Sequence, residues 1–182
     1  MKFEPTPIPG ALLIEPNTFV DNRGEFVKVF HDAEFRQNGI PFHPTEEFFS
    51  ISHRSVIRGM HFQLPPFAHD KLVYCLSGRI LDVIVDLRKG SPTYGRHFSC
   101  ELTSSNRWML FIPVGLAHGF LCLDDASLVM YSVTTTHNPV HDCGIRWDSF
   151  GMKWPCVDPI VSARDKSFKE LGCFDSPFIF TA

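Results

Sequence analysis

From residue 79 to residue 87 the chain reads Arg-Ile-Leu-Asp-Val-Ile-Val-Asp-Leu. Leu81, Val83, Val85 and Leu87 fall on one face, and Asp82 and Asp86 fall on the other. A period of two is the signature of a β-strand. An apolar run at 71–76 precedes it, and Ser77-Gly78 lies between the two. Two such runs around a short glycine turn predict a tight hairpin. Comparable runs predict strands at 12–15, 25–30, 47–52, 97–102, 108–112, 119–123 and 127–135, and Arg58 and His61 are read as standing on β-structure. Helix signals are sparse. Asp32 can cap a helix over 32–38 that Gly39 stops, and a second short helix is expected near 167–171. Turn signals recur at Arg88-Lys89-Gly90-Ser91-Pro92, Ser104-Ser105-Asn106, Asp124-Asp125 and His137-Asn138-Pro139. Many short strands separated by turns predict an all-β sandwich or barrel in a single domain, 1–182.

Composition narrows the function classes. The net charge of −3 gives no bulk electrostatic case for nucleic acid. No stretch approaches the ~20 apolar residues needed to span a membrane. The start, Met-Lys-Phe-Glu-Pro-Thr-Pro, has no apolar run after its lysine and predicts no signal peptide. The six cysteines form no C-x-x-C pair, which weakens a zinc or redox reading, and reduced thiols in a cytoplasmic protein are expected. Eighteen phenylalanines suit strands and a filled barrel interior.

The chemistry concentrates in Val56-Ile-Arg-Gly-Met-His-Phe-Gln63, followed by Lys71 at the start of the next strand. Arg58, His61 and Lys71 stand among Val56, Ile57, Met60, Phe62, Leu72 and Val73, where polar groups are costly to bury without a purpose. An imidazole beside fixed cations suits removal of a proton from carbon and stabilisation of the resulting negative charge. Gly59 keeps the backbone slim beside Arg58. A second motif, Pro113-Val-Gly-Leu-Ala-His118, has the P-x-G-x-x-H spacing of the second cupin motif. In the first cupin motif Gln63 stands where a second histidine would be needed, so a complete metal ligand set is not expected. Tyr131, taken alone, reads as strand packing, and Asp165 as a loop carboxylate.

Taken together these segments resemble the 3,5-epimerase family of nucleotide-sugar biosynthesis, typified by dTDP-4-dehydrorhamnose 3,5-epimerase. The likeness runs over roughly residues 10–165. It rests on Asp21-Asn-Arg-Gly-Glu-Phe26, Arg58-Gly-Met-His-Phe-Gln63, Lys71-Leu-Val, Asp82-Val-Ile-Val-Asp-Leu-Arg88, Gly90-Ser-Pro-Thr-Tyr-Gly95, Pro113-Val-Gly-Leu-Ala-His-Gly-Phe120, Tyr131 and Ser162-Ala-Arg-Asp165. The resemblance implies a cupin-like double-stranded β-helix, or jelly-roll barrel, with a few short helices. It places the barrel at about 45–136 and a C-terminal wrap at 137–182. It also implies a homodimer exchanging strands within about 1–30, no metal or cofactor, and a place in deoxysugar biosynthesis of the lipopolysaccharide and O-antigen kind. The substrate would be a nucleotide-linked 4-keto-6-deoxyhexose. By the same resemblance His61 is the base, Asp165 its orienting partner, and Tyr131 the acid on the opposite sugar face. Lys71 and Arg58 stand near the carbonyl oxygen and Gln63 in the substrate site. His118 lies near the ring or phosphates, and Arg23 and Phe26 touch the nucleotide.

Two segments depart from the family pattern. Lys28 replaces the glutamate of R-G-x-F-x-E, and Glu46-Glu-Phe48 replaces Gln-x-Asn. A lysine donates only, whereas thymine N3–H needs an acceptor. Lys28 and Glu46 would instead serve N3 and the N4 amine of cytosine. That raises a CDP-linked substrate of the 3,6-dideoxyhexose kind, with inversion at C5 alone, beside the dTDP-linked one. The rival readings are another isomerase on the same scaffold, a metal-dependent cupin enzyme and a non-catalytic nucleotide-sugar-binding barrel.

Overall fold

The computed structural model describes residues 1–181. The N-terminal part carries β1 (Lys2–Pro5), β2 (Leu12–Glu15), β3 (Asn17–Asp21), β4 (Gly24–Lys28) and α1 (Asp32–Gln37). Next come β5 (Glu46–Ser52), β6 (Val56–Gln63), β7 (Lys71–Ser77), β8 (Arg79–Asp86) and β9 (His97–Thr103). The strands end with β10 (Met109–Ile112), β11 (Leu116–Cys122), β12 (Ser127–Val133), β13 (Asp142–Gly144) and β14 (Ile160–Val161). Two short helical pieces, α2 (Ala163–Ser167) and a 3-10 turn (Leu171–Cys173), lie in the C-terminal wrap, which is described to residue 181.

One sheet has the order β1-β2-β10-β7-β12-β5, and the other β13-β6-β11-β8-β9, with β14 alongside β6. β3 and β4 form a separate hairpin. The two large sheets face each other as a cupin-like jelly roll. Val73, Cys75, Leu110, Val129 and Tyr131 of the first meet Ile80, Ile84, Leu102, Leu116 and Phe120 of the second. Both outer faces are also covered. Val83, Val85, Leu87 and Ala117 pack under Phe150 and Phe178 of the wrap. Ile14, Leu72, Met109 and Phe111 pack under Phe35, Ile40 and Phe42. Each fully buried side chain of this size contributes about 1.5–3 kcal/mol relative to exposure. Strands buried on both faces read as nearly continuous apolar runs, which is why so many were legible.

The alternation in β8 holds, and the face carrying Asp82 is the one turned into the barrel, where Asp82 is fully buried beside Ile80 and Ile84. The expected hairpin at Ser77-Gly78 does not form. β7 pairs with β10 and β12, whereas β8 pairs with β9 and β11, so this turn carries the chain from one sheet to the other. Gly78 has φ +77°, and a Cβ there would meet Ser127 Oγ at 2.5 Å. The glycine is needed, but it serves a corner between sheets, and local sequence does not distinguish the two.

Other expectations shift at their edges. The helix expected near 167–171 lies earlier, at Ala163–Ser167, because Ser162 caps it by accepting from the Asp165 N–H at 3.0 Å. The cap position of α1 is His31, with no side-chain bond, and Asp32 opens the helix and pairs with Arg36 at 3.0 Å. β11 starts at Leu116, so His118 lies within the strand. β1, β3, β13 and β14 carried no clear pattern, being short or largely exposed.

Candidate active site

The sheets part at one end around a cavity of about 320 Å³, within the range of small-ligand sites. β6 and β11 line one wall, and β5, β7 and β12 line the other. Gly59 and Gly119 let β6 and β11 approach closely. A Cβ on Gly59 would meet Gly119 Cα at 2.7 Å, and one on Gly119 would meet Arg58 O at 2.6 Å. The register shifts there and leaves His61 directly opposite His118.

His61 Nε2 lies 2.8 Å from Asp165 Oδ1. The other carboxylate oxygen accepts the Gly59 N–H at 3.2 Å, and the side chain is almost fully buried. Burial opposes the Asp165 charge, but the bonds from His61, Gly59 and Ser162 outweigh it and hold its pKa below the ordinary carboxylate value. A carboxylate only accepts, so Nε2 carries the proton and Nδ1 keeps the lone pair. Burial lowers the His61 pKa, Asp165 opposes this, and Lys71 and Arg164 push it lower still. The ring is therefore neutral at pH 7. Its edge packs on Phe168, 5.8 Å between centroids.

Lys71 is buried and donates to the His61 carbonyl at 3.1 Å. Burial lowers its pKa to about 8, with Asp142 and Asp82 opposing. Tyr131 lies deeper, stacked on Phe48 at 4.7 Å and 16° and edge-on to His118 at 6.0 Å. Burial pushes its phenol above the ordinary value. His118 Nε2 is 2.8 Å from Asp82 Oδ2, both side chains are buried, and Asp82 Oδ1 has no partner among the described residues. Arg58 is exposed and donates to Ser52 Oγ at 2.8 Å.

Glu46 lines the cavity mouth and accepts the His137 N–H at 2.6 Å. Gln63 is buried and held by backbone groups. The lining residues not singled out from sequence include Phe48, His69, His137, Asp142 and Arg164, and Asp82, the buried partner of His118, was not singled out as a site residue either. Arg164 Nη1 bonds Asp142 Oδ2 at 2.6 Å, and its guanidinium lies 5.4 Å from the Phe168 ring. Two of these had a sequence signal. His69 lies two residues before Lys71, the spacing that puts two residues of an extended chain on one face, and Asp82 is a carboxylate set inside an otherwise apolar strand.

Arg23, Phe26 and Lys28 are not in this cavity. All three belong to the β3–β4 hairpin, where Arg23 pairs with Asp21 at 2.5 Å and Phe26 is 63% exposed. Lys28 lies near Glu34, whose carboxylate is held below its ordinary value first by the N-terminal ammonium and last by Lys28. Arg107 ties the hairpin to the barrel through Glu25. Among the described residues no helix is long and apolar enough to cross a membrane.

The family model described as dTDP-4-dehydrorhamnose 3,5-epimerase matches residues 5–172. The chain is 42% identical to the enzyme of that name from Methanothermobacter thermautotrophicus, over 93% of this chain and 94% of the relative. The structure superposes with TM-score 0.94 on the Legionella pneumophila dTDP-6-deoxy-D-glucose-3,5-epimerase in complex with dTDP-4-keto-L-rhamnose, at 30% identity over 99% of both chains. It is also similar to a 3'-monoepimerase from Streptomyces bikiniensis in complex with dTDP-quinovose, with TM-score 0.87 and 31% identity over 93% of this chain and 87% of that one. With the family model spanning nearly the whole length and relatives this similar end to end, the chain belongs to the dTDP-4-dehydrorhamnose 3,5-epimerase family.

Proposed function

We propose that this isomerase inverts C3 and C5 of a dTDP-linked 4-keto-6-deoxyhexose, with His61 as the base and Tyr131 as the opposing acid. The observation that carries the reading is the 2.8 Å bond from His61 Nε2 to Asp165, which leaves Nδ1 unprotonated at the cavity shared with Lys71 and Tyr131. The C4 carbonyl acidifies the hydrogens on both flanking carbons, so one base serves both centres in turn. His61 Nδ1 takes the proton, and Asp165 stabilises the imidazolium that forms. The electron pair moves onto the C4 oxygen, where the Lys71 ammonium meets the developing charge. A preorganised donor of this kind is typically worth about 3–4 kcal/mol. Tyr131 returns a proton to the opposite face, which inverts the centre. Arg58 and Arg164 supply positive charge for the diphosphate, a role supported by their place along the cavity.

The chain functions in this reading as a homodimer in which the β3–β4 hairpin of one protomer reaches the other's site. Phe19 and Phe26 on the hairpin, and Phe49 and Ile51 on the edge strand β5, are each more than half exposed, and apolar surface on a sheet edge favours pairing with a second copy. Arg23 and Phe26 would thereby meet the nucleotide. Lys28 keeps a cytosine base as the second reading, and calorimetric titration of dTDP against CDP separates the two, since tighter CDP binding overturns the dTDP assignment. Incubation with dTDP-4-keto-6-deoxyglucose in D₂O, followed by NMR at each carbon, tests the reaction. Deuterium is expected at C3 and C5, and its absence from either carbon overturns the reading.

A further inference from the structure

We infer that His69 donates its Nε2–H to the hydroxyl beside the keto group, the one on C3, and so specifies a 3-hydroxy sugar. This rests on the functional reading above and concerns a residue that reading leaves idle. His69 lies on the same wall as Lys71. The chain at residue 70 still runs beside the extension of β12, with the Asp70 N–H bonded to Thr134 Oγ1 at 3.0 Å and the Thr134 N–H to Asp70 O at 3.2 Å. Residues 69 and 71 therefore face the same way in extended chain, and both line the cavity with His61 and Tyr131.

The tautomer of His69 follows from Gln63. Gln63 Oε1 accepts the Asn138 N–H at 2.6 Å, which only an oxygen can do. Its amide nitrogen donates to Phe67 O at 2.9 Å and approaches Thr136 O at 3.3 Å, which only an N–H can do. Three backbone groups thus fix the orientation of the amide. The same nitrogen lies 3.0 Å from His69 Nδ1 and must donate there too, so Nδ1 holds a lone pair and the ring proton sits on Nε2. Burial drives the His69 pKa down to about 3, Lys71 and His137 act in the same direction, and Asp142 opposes them. The ring stays a neutral donor, half-buried, and its Nε2 has no hydrogen-bond partner among the described residues.

The charge of each donor selects its acceptor. Arg58 and Arg164 are cations suited to the diphosphate, and the Lys71 ammonium suits an oxygen that becomes anionic. A single uncharged N–H one strand step from Lys71 suits an uncharged oxygen next to the carbonyl. On a 4-keto-6-deoxyhexose the hydroxyl flanking the carbonyl is the one on C3. A 3-deoxy sugar offers no acceptor there, and a 3-ammonium group only donates.

The test compares dTDP-linked 4-keto-6-deoxyglucose with its 3-deoxy analogue, following deuterium exchange at C5, a carbon both share. Wild type is expected to favour the hydroxy substrate by roughly ten- to a hundredfold in kcat/KM, the range for one buried polar group left unpaired. In His69→Phe the ratio falls to near one, chiefly through a raised KM for the hydroxy substrate. His69→Gln, which restores an N–H, recovers part of the preference. Gln63 keeps two backbone acceptors in either variant, and should the Phe variant not fold, the Gln variant is read against wild type by its KM. A His69→Phe enzyme that folds and keeps the wild-type ratio overturns the inference and leaves the epimerase reading intact. Absence of C5 exchange in wild type overturns both. Long-range ¹H–¹⁵N NMR on the unliganded enzyme gives a separate check, because a proton on His69 Nδ1, or titration between about pH 5 and 8, also overturns it.

Discussion

Two histidine–aspartate pairs lie on neighbouring strands of this barrel, with the same 2.8 Å separation. His61 and His118 stand opposite each other in the β6–β11 register. The His61 side chain is 27% exposed and that of His118 is 3% exposed, with Asp82 completely buried beneath it. Both pairs would pass a distance search for a catalytic dyad. What separates them is access for the second ring nitrogen and the origin of the carboxylate. Asp165 comes from a capped turn of the C-terminal wrap, whereas Asp82 comes from the adjacent strand of the same sheet. In the proposed reaction the first pair exchanges a proton with the substrate. The other fixes the inner wall against which Tyr131 rests.

The sharpest way to break this comparison is to exchange the effects of the two histidines. His61→Asn is expected to lower epimerisation and deuterium exchange by about 10²–10⁴-fold, the usual loss for a positioned acid–base group, with little change in Tm. His118→Asn leaves the Asp82 carboxylate buried without its partner. Breaking such a pair typically costs about 3–5 kcal/mol, so a marked fall in Tm is expected, with a smaller loss of turnover in the folded fraction. Thermal melts run beside exchange assays decide the matter. A stable His118→Asn enzyme without exchange would reverse the assignment.

A second substitution separates proton removal from proton return. Tyr131→Phe retains the ring that stacks on Phe48 and meets His118, and removes only the acid. Exchange of hydrogens on the His61 face should persist within about tenfold of wild type, while inversion falls by roughly 10²-fold or more. NMR distinguishes these as deuterium in unepimerised substrate. Equal loss of exchange and inversion would place Tyr131 on the same side of the reaction as His61.

These contrasts also mark what the sequence could reveal. The strands follow from pattern, because two sheets buried on both faces demand apolar side chains almost everywhere, and the His61 motif stands out as polar groups set in such a run; the alternation in β8 marks a strand but does not reveal that its Asp82 face turns inward. The partners of that motif do not follow from pattern. Asp165 sits 104 residues from His61 and reads as a solvated loop carboxylate, and only the family resemblance drew attention to it. Arg164 and Asp142 meet at the mouth because the wrap returns along β6, a long-range event with no local trace. The Ser77-Gly78 turn misled for the opposite reason. Its local chemistry suits a hairpin and a corner between sheets equally, and closure of the barrel decides between them.

The pH profile tests the first pair together with Lys71. His61 must be neutral, and burial lowers its pKa, so kcat/KM should hold below the ordinary imidazole value of ~6.5 before falling as acid protonates Nδ1. Lys71 must be charged, and its pKa lies at about 8, so activity should fall as pH rises through that value. Each unit beyond either limb costs about tenfold. Lys71→Arg, which stays charged throughout, should remove the alkaline limb from whatever activity remains. An alkaline limb that persists in this variant would detach Lys71 from the profile.

The smallest effect expected concerns how the inner wall holds the acid. Phe48 covers one face of the Tyr131 ring at 4.7 Å and 16°, and the buried His118 meets its edge. Offset stacking of this kind is worth about 0.5–1.5 kcal/mol beyond area burial. Phe48→Leu keeps an apolar contact but frees the ring to rock about its χ torsions. Proton removal by His61 lies on the other wall and should be unchanged, whereas delivery by Tyr131 depends on where the hydroxyl points. The ratio of inversion to exchange should therefore fall by a few-fold to about tenfold, with exchange itself near wild type. An unchanged ratio would mean that the His118–Asp82 wall alone orients the phenol. The second pair would then carry the positioning of the acid as fully as the first carries the removal of the proton.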